Sequence, residues 1–114
     1  MRTMILAATF AALSVSLAWA DDVMTSRFGN TTIATDSKGV QTKLYYNADG
    51  TLTGKQGDMS FKGTWKVANT QLCLTFTTAV PGMSNPFCVT VSAHKVGDTW
   101  QGAGRTVTLV KGIQ

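Results

Sequence analysis

The sequence contains no glutamate, a single histidine, two cysteines and two prolines, and all six of its acidic residues are aspartates. General acid–base catalysis needs a titratable group that a second residue orients beside the substrate. One histidine, His94, offers little for such a site, and we interpret it as a solvated residue near the end of a strand. We therefore expect no catalytic residues and no enzymatic activity.

Patterns typical of metal sites and of nucleic-acid binding are absent as well. The two cysteines, Cys73 and Cys88, form no Cys-x-x-Cys pair, and one histidine cannot complete a metal-ligand set with them. The ten Lys and Arg residues give a formal net charge of +4, but they are spread singly along the chain. We therefore expect no cofactor, no metal ion and no nucleic-acid partner.

The one long apolar stretch lies at the N-terminus. Arg2 precedes an apolar run over residues 4–17, and Ala18-Trp19-Ala20 fits the small-x-small rule for signal-peptide cleavage. This pattern predicts a signal peptide over residues 1–20, cleaved after Ala20, and one secreted or periplasmic domain over residues 21–114. No other stretch is apolar enough to cross a membrane, so we expect no membrane span in the mature chain.

The rest of the sequence has the pattern of an all-β protein. Short runs rich in Thr, Val, Tyr, Phe and Trp are separated by Gly, Asn and Asp, and helical periodicity is nearly absent. Because most connections are short, the strands are expected to pair as an antiparallel meander that forms a small β-barrel of about seven or eight strands. The predicted strands span residues 30–35, 42–47, 51–55, 59–67, 71–77, 87–94, 99–103 and 105–110.

Two cysteines in a small exported domain predict a disulfide bond. In the alternating pattern of their strands, Cys73 and Cys88 face outward. Pairing them places the inward-facing leucines beside Cys73 opposite Phe87 and Val89, whereas a slip of one residue would set leucine against cysteine. The hydrophobic pattern and an external cross-strand disulfide therefore favour the same register.

Turn chemistry marks two of the connections. Asn47-Ala48-Asp49-Gly50 predicts a β-hairpin with a type I′ turn, since Asp-Gly tolerates positive φ angles. Pro81-Gly82 predicts a type II turn in the longest connection, residues 78–87.

Four large aromatic residues are candidates for a ligand pocket. We expect Trp65, Trp100, Tyr46 and Phe61 to line a site for a small hydrophobic ligand inside the barrel or at its mouth; the alternative for them is core packing. A barrel of this size has little interior beyond its own side chains. Such a pocket would therefore need a wide, short barrel or a homodimer that joins two half-cavities.

The connection over residues 78–87 offers an alternative function. Val80 and Met83 are expected to expose apolar groups near its tip, and the predicted disulfide anchors its base. A preordered loop of this kind is typical of a protein-interaction module, for example an inhibitor of an envelope or host enzyme. The sequence thus leaves a ligand in the barrel and a protein partner on the loop as two separate hypotheses.

Several segments together resemble a family of small secreted or periplasmic proteins of proteobacteria. The resemblance rests on "GNTTIATD", "YYNADGTLTG", "GTWKVANTQLCLTF", "FCVTV" and "GDTWQGAG", in which a Gly-x-Trp strand leads into a Leu-Cys strand and a second cysteine follows. It implies an exported β-barrel and carries over no active-site residues. The chain is also similar, more weakly, to the calycin-type barrels of lipocalins and avidins, but their Gly-x-Trp lies on the first strand, whereas Gly63 and Trp65 lie mid-chain.

Overall fold

A computed structural model describes residues 23–114 of the chain. The signal peptide predicted over residues 1–20 lies outside this range. Within it, no helix is long and apolar enough to cross a membrane. A short 3₁₀ turn at Thr25–Arg27 precedes eight strands: β1 (Thr31–Thr35), β2 (Gln41–Tyr46), β3 (Thr51–Gln56), β4 (Met59–Ala68), β5 (Gln71–Phe76), β6 (Phe87–Thr90), β7 (Thr99–Gly102) and β8 (Arg105–Val110).

The strands form one antiparallel sheet in the order β6-β5-β4-β3-β2-β1-β8-β7. The first six strands follow one another as the expected meander, and β8 returns to pair with β1. This pairing curls the sheet into a nearly closed barrel and confirms the predicted all-β class. Within residues 23–114 no ladder joins β6 to β7, and we call the gap between these two edges the seam.

The connection between β6 and β7 crosses the seam instead of forming a tight hairpin. The strand predicted over residues 87–94 is wrong at its C-terminal end, because β6 ends at Thr90. The carbonyl groups of Ser92 and His94 accept hydrogen bonds from the side chains of Arg27 and Ser26. Side chains from the N-terminal turn therefore hold this segment where a neighbouring strand would otherwise pair with it.

The predicted disulfide and its register are both confirmed. Cys73 pairs with Cys88 across β5 and β6, with their Cα atoms 4.0 Å apart. The inward-facing Leu74 lies opposite Phe87, and Leu72 lies opposite Val89, as the hydrophobic pattern predicts. The covalent bond and the apolar face thus fix the same pairing.

The hairpin predicted between β2 and β3 forms, since the Gly50 N–H donates to the Asn47 carbonyl at 3.1 Å. The predicted type I′ turn is wrong, because Gly50 has a positive φ of 90° but Asp49 does not. Type I′ geometry occurs instead between β7 and β8, where Ala103 and Gly104 have φ angles of 52° and 73°. Strand twist is therefore matched by different turns at these two hairpins.

The inward-facing side chains pack into a core inside the barrel. Phe61 on β4 meets Phe76 on β5 edge to face, with ring centroids 5.4 Å apart. Gly54 makes room for the Phe61 ring, since a Cβ there would lie 2.2 Å from it. The buried cluster consists of Met24, Leu44, Tyr46, Leu52, Phe61, Leu72, Leu74, Phe76 and Val80.

Gly63 in the Gly-x-Trp segment has a specific packing role. A Cβ at this position would lie 2.3 Å from the carbonyl oxygen of Thr75 on β5. Such a contact cannot be relieved by rotating a side chain, because the neighbouring atom belongs to the backbone. Gly63 therefore allows the backbones of β4 and β5 to approach each other.

Replacing both Cys73 and Cys88 with alanine should lower the free energy of unfolding by roughly 3 kcal/mol, because a bond between residues 15 apart restricts the unfolded chain. Thermal and urea denaturation of the two proteins would measure the difference. A reducing agent should lower the stability of the wild type and leave the double variant unchanged. Equal stability of the two proteins would refute a stabilising role for the disulfide.

Gly63→Ala should lower the free energy of unfolding by about 1–3 kcal/mol, because the added methyl group forces β4 and β5 apart. Gly102→Ala is the matched control, since a Cβ at Gly102 meets nothing within 4 Å. Its effect should stay within about 0.5 kcal/mol. Similar urea midpoints for both variants would show that the close approach at Gly63 is not needed.

Candidate functional site

A cavity of about 70 Å³ lies along the seam. Side chains from β6 and the residues after it line one side, and side chains from β7 and β8 line the other. Strands β1, β2 and β5 supply the remaining wall from the barrel interior. The cavity therefore exists because the two edges of the sheet do not pair.

Apolar side chains dominate the two edges of the cavity. Phe87, Val89 and Val91 border it from one edge, and Trp100 and Val107 border it from the other. Their positions in the strand pattern turn them inward, yet all five remain half-buried. Partly exposed apolar surface around a concave site is favourable to cover with an apolar ligand.

Arg27 reaches the cavity from the 3₁₀ turn. It is 4% exposed, and its guanidinium donates hydrogen bonds to the carbonyls of Val23 at 2.7 Å and Ser92 at 3.3 Å. It also lies over the Trp100 ring, 5.5 Å from the centroid, within the range of a cation–π interaction. Burial lowers the pKa of the guanidinium and proximity to Tyr46 opposes this shift, but arginine keeps its charge.

Two buried hydroxyl groups lie on the same cavity. Thr32 on β1 is 4% exposed, and its Oγ1 has no hydrogen-bond partner within the described chain. Tyr46 on β2 is equally buried, and burial raises the pKa of its phenol to about 12, with Arg27 opposing the shift. The phenol is therefore neutral at physiological pH and can donate a hydrogen bond.

His94 takes part in a Ser-His-Asp arrangement, and the prediction that it is a solvated residue is wrong. Its ring stacks on Trp100 with the centroids 3.5 Å apart, and its side chain is 18% exposed. Ser92 Oγ lies 3.2 Å from the Nε2 atom of His94, and Asp98 Oδ2 lies 3.5 Å from its Nδ1 atom. In residues 23–114 no group of three metal-ligating side chains could hold an ion.

The geometry of this trio suits a structural role better than nucleophilic catalysis. The distance from Asp98 to His94 is longer than a normal hydrogen bond, and the carboxylate is 41% exposed, so water weakens its hold on the imidazole. Its Oδ2 also accepts a hydrogen bond from the backbone N–H of Lys95 at 2.9 Å. This bond, and to a lesser extent the contact with His94, lowers the pKa of the Asp98 carboxyl. The trio thus orients the imidazole against Trp100 and stiffens that wall of the cavity.

The four aromatic residues expected in a pocket divide into two pairs. Tyr46 and Trp100 border the cavity. Phe61 does not line the cavity and packs edge to face on Phe76 in the core. Trp65 does not line it either: its ring packs against Phe28 and Tyr46, and its indole N–H donates to the Asn47 carbonyl at 2.8 Å.

The loop between β5 and β6 packs against the barrel. Its predicted type II turn forms, with Gly82 at a φ of 81° and the Met83 N–H donating to the Val80 carbonyl at 3.1 Å. The expected exposure of Val80 is wrong, because it is 2% exposed within the core, and Met83 borders the cavity half-buried. Arg105 donates a hydrogen bond to the Gly82 carbonyl. The Asn85 side chain accepts a hydrogen bond from the Phe76 N–H at 3.0 Å and donates one to the Phe76 carbonyl at 2.9 Å.

Sequence reasoning missed the charged and hydroxylic part of the site. In the sequence, Arg27 is one of the basic residues spread singly along the chain, and no pattern assigns a role to Thr32. The spacing of Met24, Arg27 and Phe28 by three and four residues is the one local signal of a helical turn with a buried side. A charge in the middle of that pattern argues for exposure, so only the tertiary structure shows that Arg27 is buried.

The Ser-His-Asp trio gives a direct test of the expectation that the protein is not an enzyme. Hydrolysis of a p-nitrophenyl ester by the wild type should equal that of Ser92→Ala, because the long contact between His94 and the partly exposed Asp98 activates the hydroxyl weakly. A fluorophosphonate label should leave the protein unmodified as judged by mass spectrometry. Labelling at Ser92 with loss of hydrolysis in Ser92→Ala would establish catalysis.

Comparison with known proteins adds no relative to this description. No protein-family model matches the chain, and no curated protein matches it. The family resemblance inferred from the short motifs therefore stays a prediction. Function has to be argued from the geometry of the seam.

Proposed function

We propose that the protein is an exported, non-catalytic binding protein that holds a small hydrophobic ligand in the cavity along the seam. The observation that carries this proposal is the ring of half-buried apolar side chains, Phe87, Val89, Val91, Trp100 and Val107, around a concave site. Covering such surface stabilises a complex by about 25 cal/mol per Å² of apolar area removed from water. The same area, left open, gives the free barrel no stability.

Two features support export. The Cys73–Cys88 disulfide is typical of oxidising compartments outside the cytosol. The sequence pattern over residues 1–20 predicts the signal peptide that would direct the chain there. A binding protein of this kind would work in the periplasm or outside the cell.

The alternative, a protein-interaction module acting through residues 78–87, has less support. Val80 is buried in the core and Met83 faces the cavity, so the two apolar side chains assigned to a partner are already engaged. Hydrogen bonds from Arg105 and Asn85 also hold the loop against the barrel. The loop is therefore better explained as a wall of the ligand site.

A series of linear alcohols from butanol to decanol, titrated against the protein and followed by tryptophan fluorescence, tests the proposal. Affinity should rise about three- to fourfold with each added methylene until the cavity is filled, since burying one CH₂ contributes about 0.8 kcal/mol. The response should persist in Trp65→Phe, because Trp65 does not line the cavity and reaches it only through the Tyr46 ring, whose centroid lies 6.4 Å from its own. It should be lost in Trp100→Phe, which removes the reporter in the wall.

Two results would contradict the proposal. The first is a folded protein that gives no response to any alcohol. The second is a response that persists in Trp100→Phe and disappears in Trp65→Phe, which would place the apolar site beside Trp65 instead of in the cavity.

A further inference from the structure

The charge of Arg27 has no counterion in the described part of the chain. The one ion pair found there joins His94 to Asp98, and no acidic side chain lines the cavity. A buried charge is costly unless it is paired, and proteins normally compensate it with a carboxylate or another anion. The cavity therefore holds a positive charge that its own lining does not neutralise.

The hydrogen bonds of Arg27 leave part of its guanidinium free. A guanidinium carries five N–H donors. The carbonyls of Val23 and Ser92 occupy two of them, so three remain for a further acceptor. A carboxylate fits these remaining donors, because its two oxygens match the planar fork of a guanidinium.

Two hydroxyl groups extend the polar part of the cavity. Thr32 Oγ1 is buried without a partner in residues 23–114, and a buried hydroxyl of this kind costs free energy until an acceptor or donor reaches it. The neutral phenol of Tyr46 borders the same cavity, close enough to Arg27 for the guanidinium to act on its pKa. An anionic group beside Arg27 would give each hydroxyl an acceptor.

The polar groups sit in an otherwise apolar cavity, so the complementary ligand is amphipathic. We infer that the cavity selects a carboxylate with an unbranched apolar chain, that Arg27 binds the carboxylate with help from Thr32 and Tyr46, and that the chain lies against Trp100 and Val89. This inference rests on the proposed function, because it names the ligand class of the same site. The cavity volume of about 70 Å³ favours a short or medium chain that emerges through the seam.

Arg27 also supports the fold, and that role alone is the competing explanation for its position. Its bonds to Val23 and Ser92 tie the N-terminal turn to the segment after β6, and that role needs no ligand. Arg105, the second arginine on the cavity, similarly ties β8 to Gly82 and lies 5.2 Å from the Phe87 ring centroid. The test must therefore separate recognition of an anion from simple support of the fold.

The experiment compares octanoate with 1-octanol, which share an apolar chain and differ in headgroup charge. By calorimetric titration of the full-length wild-type protein, octanoate should bind at least about tenfold more tightly than octanol. In Arg27→Gln the affinity for octanoate should fall to that for octanol, and the affinity for octanol should stay unchanged. Lys66→Gln, which removes one charge from the exposed face of β4, should keep the wild-type preference.

Smaller changes locate the headgroup more closely. Thr32→Val keeps the shape of the side chain and removes its hydroxyl, so it should weaken octanoate several-fold and leave octanol unchanged. If Arg27→Gln does not fold, the Nε–Hε NMR signal of Arg27 in the wild type decides the matter. It should shift with octanoate and stay unchanged with octanol.

The outcomes separate the two proposals. If neither compound binds, the proposed function itself fails. If octanol binds as well as octanoate, or if octanoate leaves the Arg27 signal unmoved, the apolar site stands and the anion site is overturned. A preference that survives Arg27→Gln and disappears in Arg105→Gln would also overturn it, because the anion would then bind at the other arginine.

Discussion

The barrel depends on arginine side chains at the place where its backbone does not close. Arg27 reaches from the N-terminal turn to the Ser92 carbonyl on one side of the seam and to the Trp100 ring on the other. Arg105 reaches from β8 to the Gly82 carbonyl and the Phe87 ring. A backbone ladder would bring the edge strands to about 4.8 Å and leave no room between them. Side chains that span the gap hold the edges together and keep a cavity between them.

Local sequence patterns were sufficient for much of the fold. The alternation around Cys73 and Cys88 predicts their strands, the faces of the side chains and the register. These features follow from neighbouring residues and from the two-residue repeat of a β-strand, both of which can be read from the sequence. The end of β6 could not be predicted in this way. Residues 91–94 continue the same alternation, but Thr90 pairs with Gln71, the first residue of β5, so the ladder has no further partner. Beyond it, Arg27 and Ser26, which are distant in sequence, bond to the carbonyls of Ser92 and His94.

The candidate site was predictable only in part for a related reason. Alternation shows that a side chain points inward, but it does not show whether that part of the interior is filled. Phe61 and Tyr46 both face inward; Phe61 is enclosed by Phe76, whereas Tyr46 borders open space. The position of the seam makes this difference, and the seam follows from the pairing of the first strand with the last. The role of Arg27 depends on the same long-range closure.

The closure of the barrel by β1 and β8 also sets the order in which parts of the molecule can fold. Thr31 bonds to Gly112 across 81 residues of chain, and Arg27 bonds to Ser92 across 65. The disulfide-linked hairpin needs only neighbouring segments, so it can form well before the two ends of the domain meet. Arg27, near the start of the described chain, receives its distant partners, Ser92 and Trp100, from segments that are synthesised late. The cavity therefore forms only once segments from both ends of the described chain have come together.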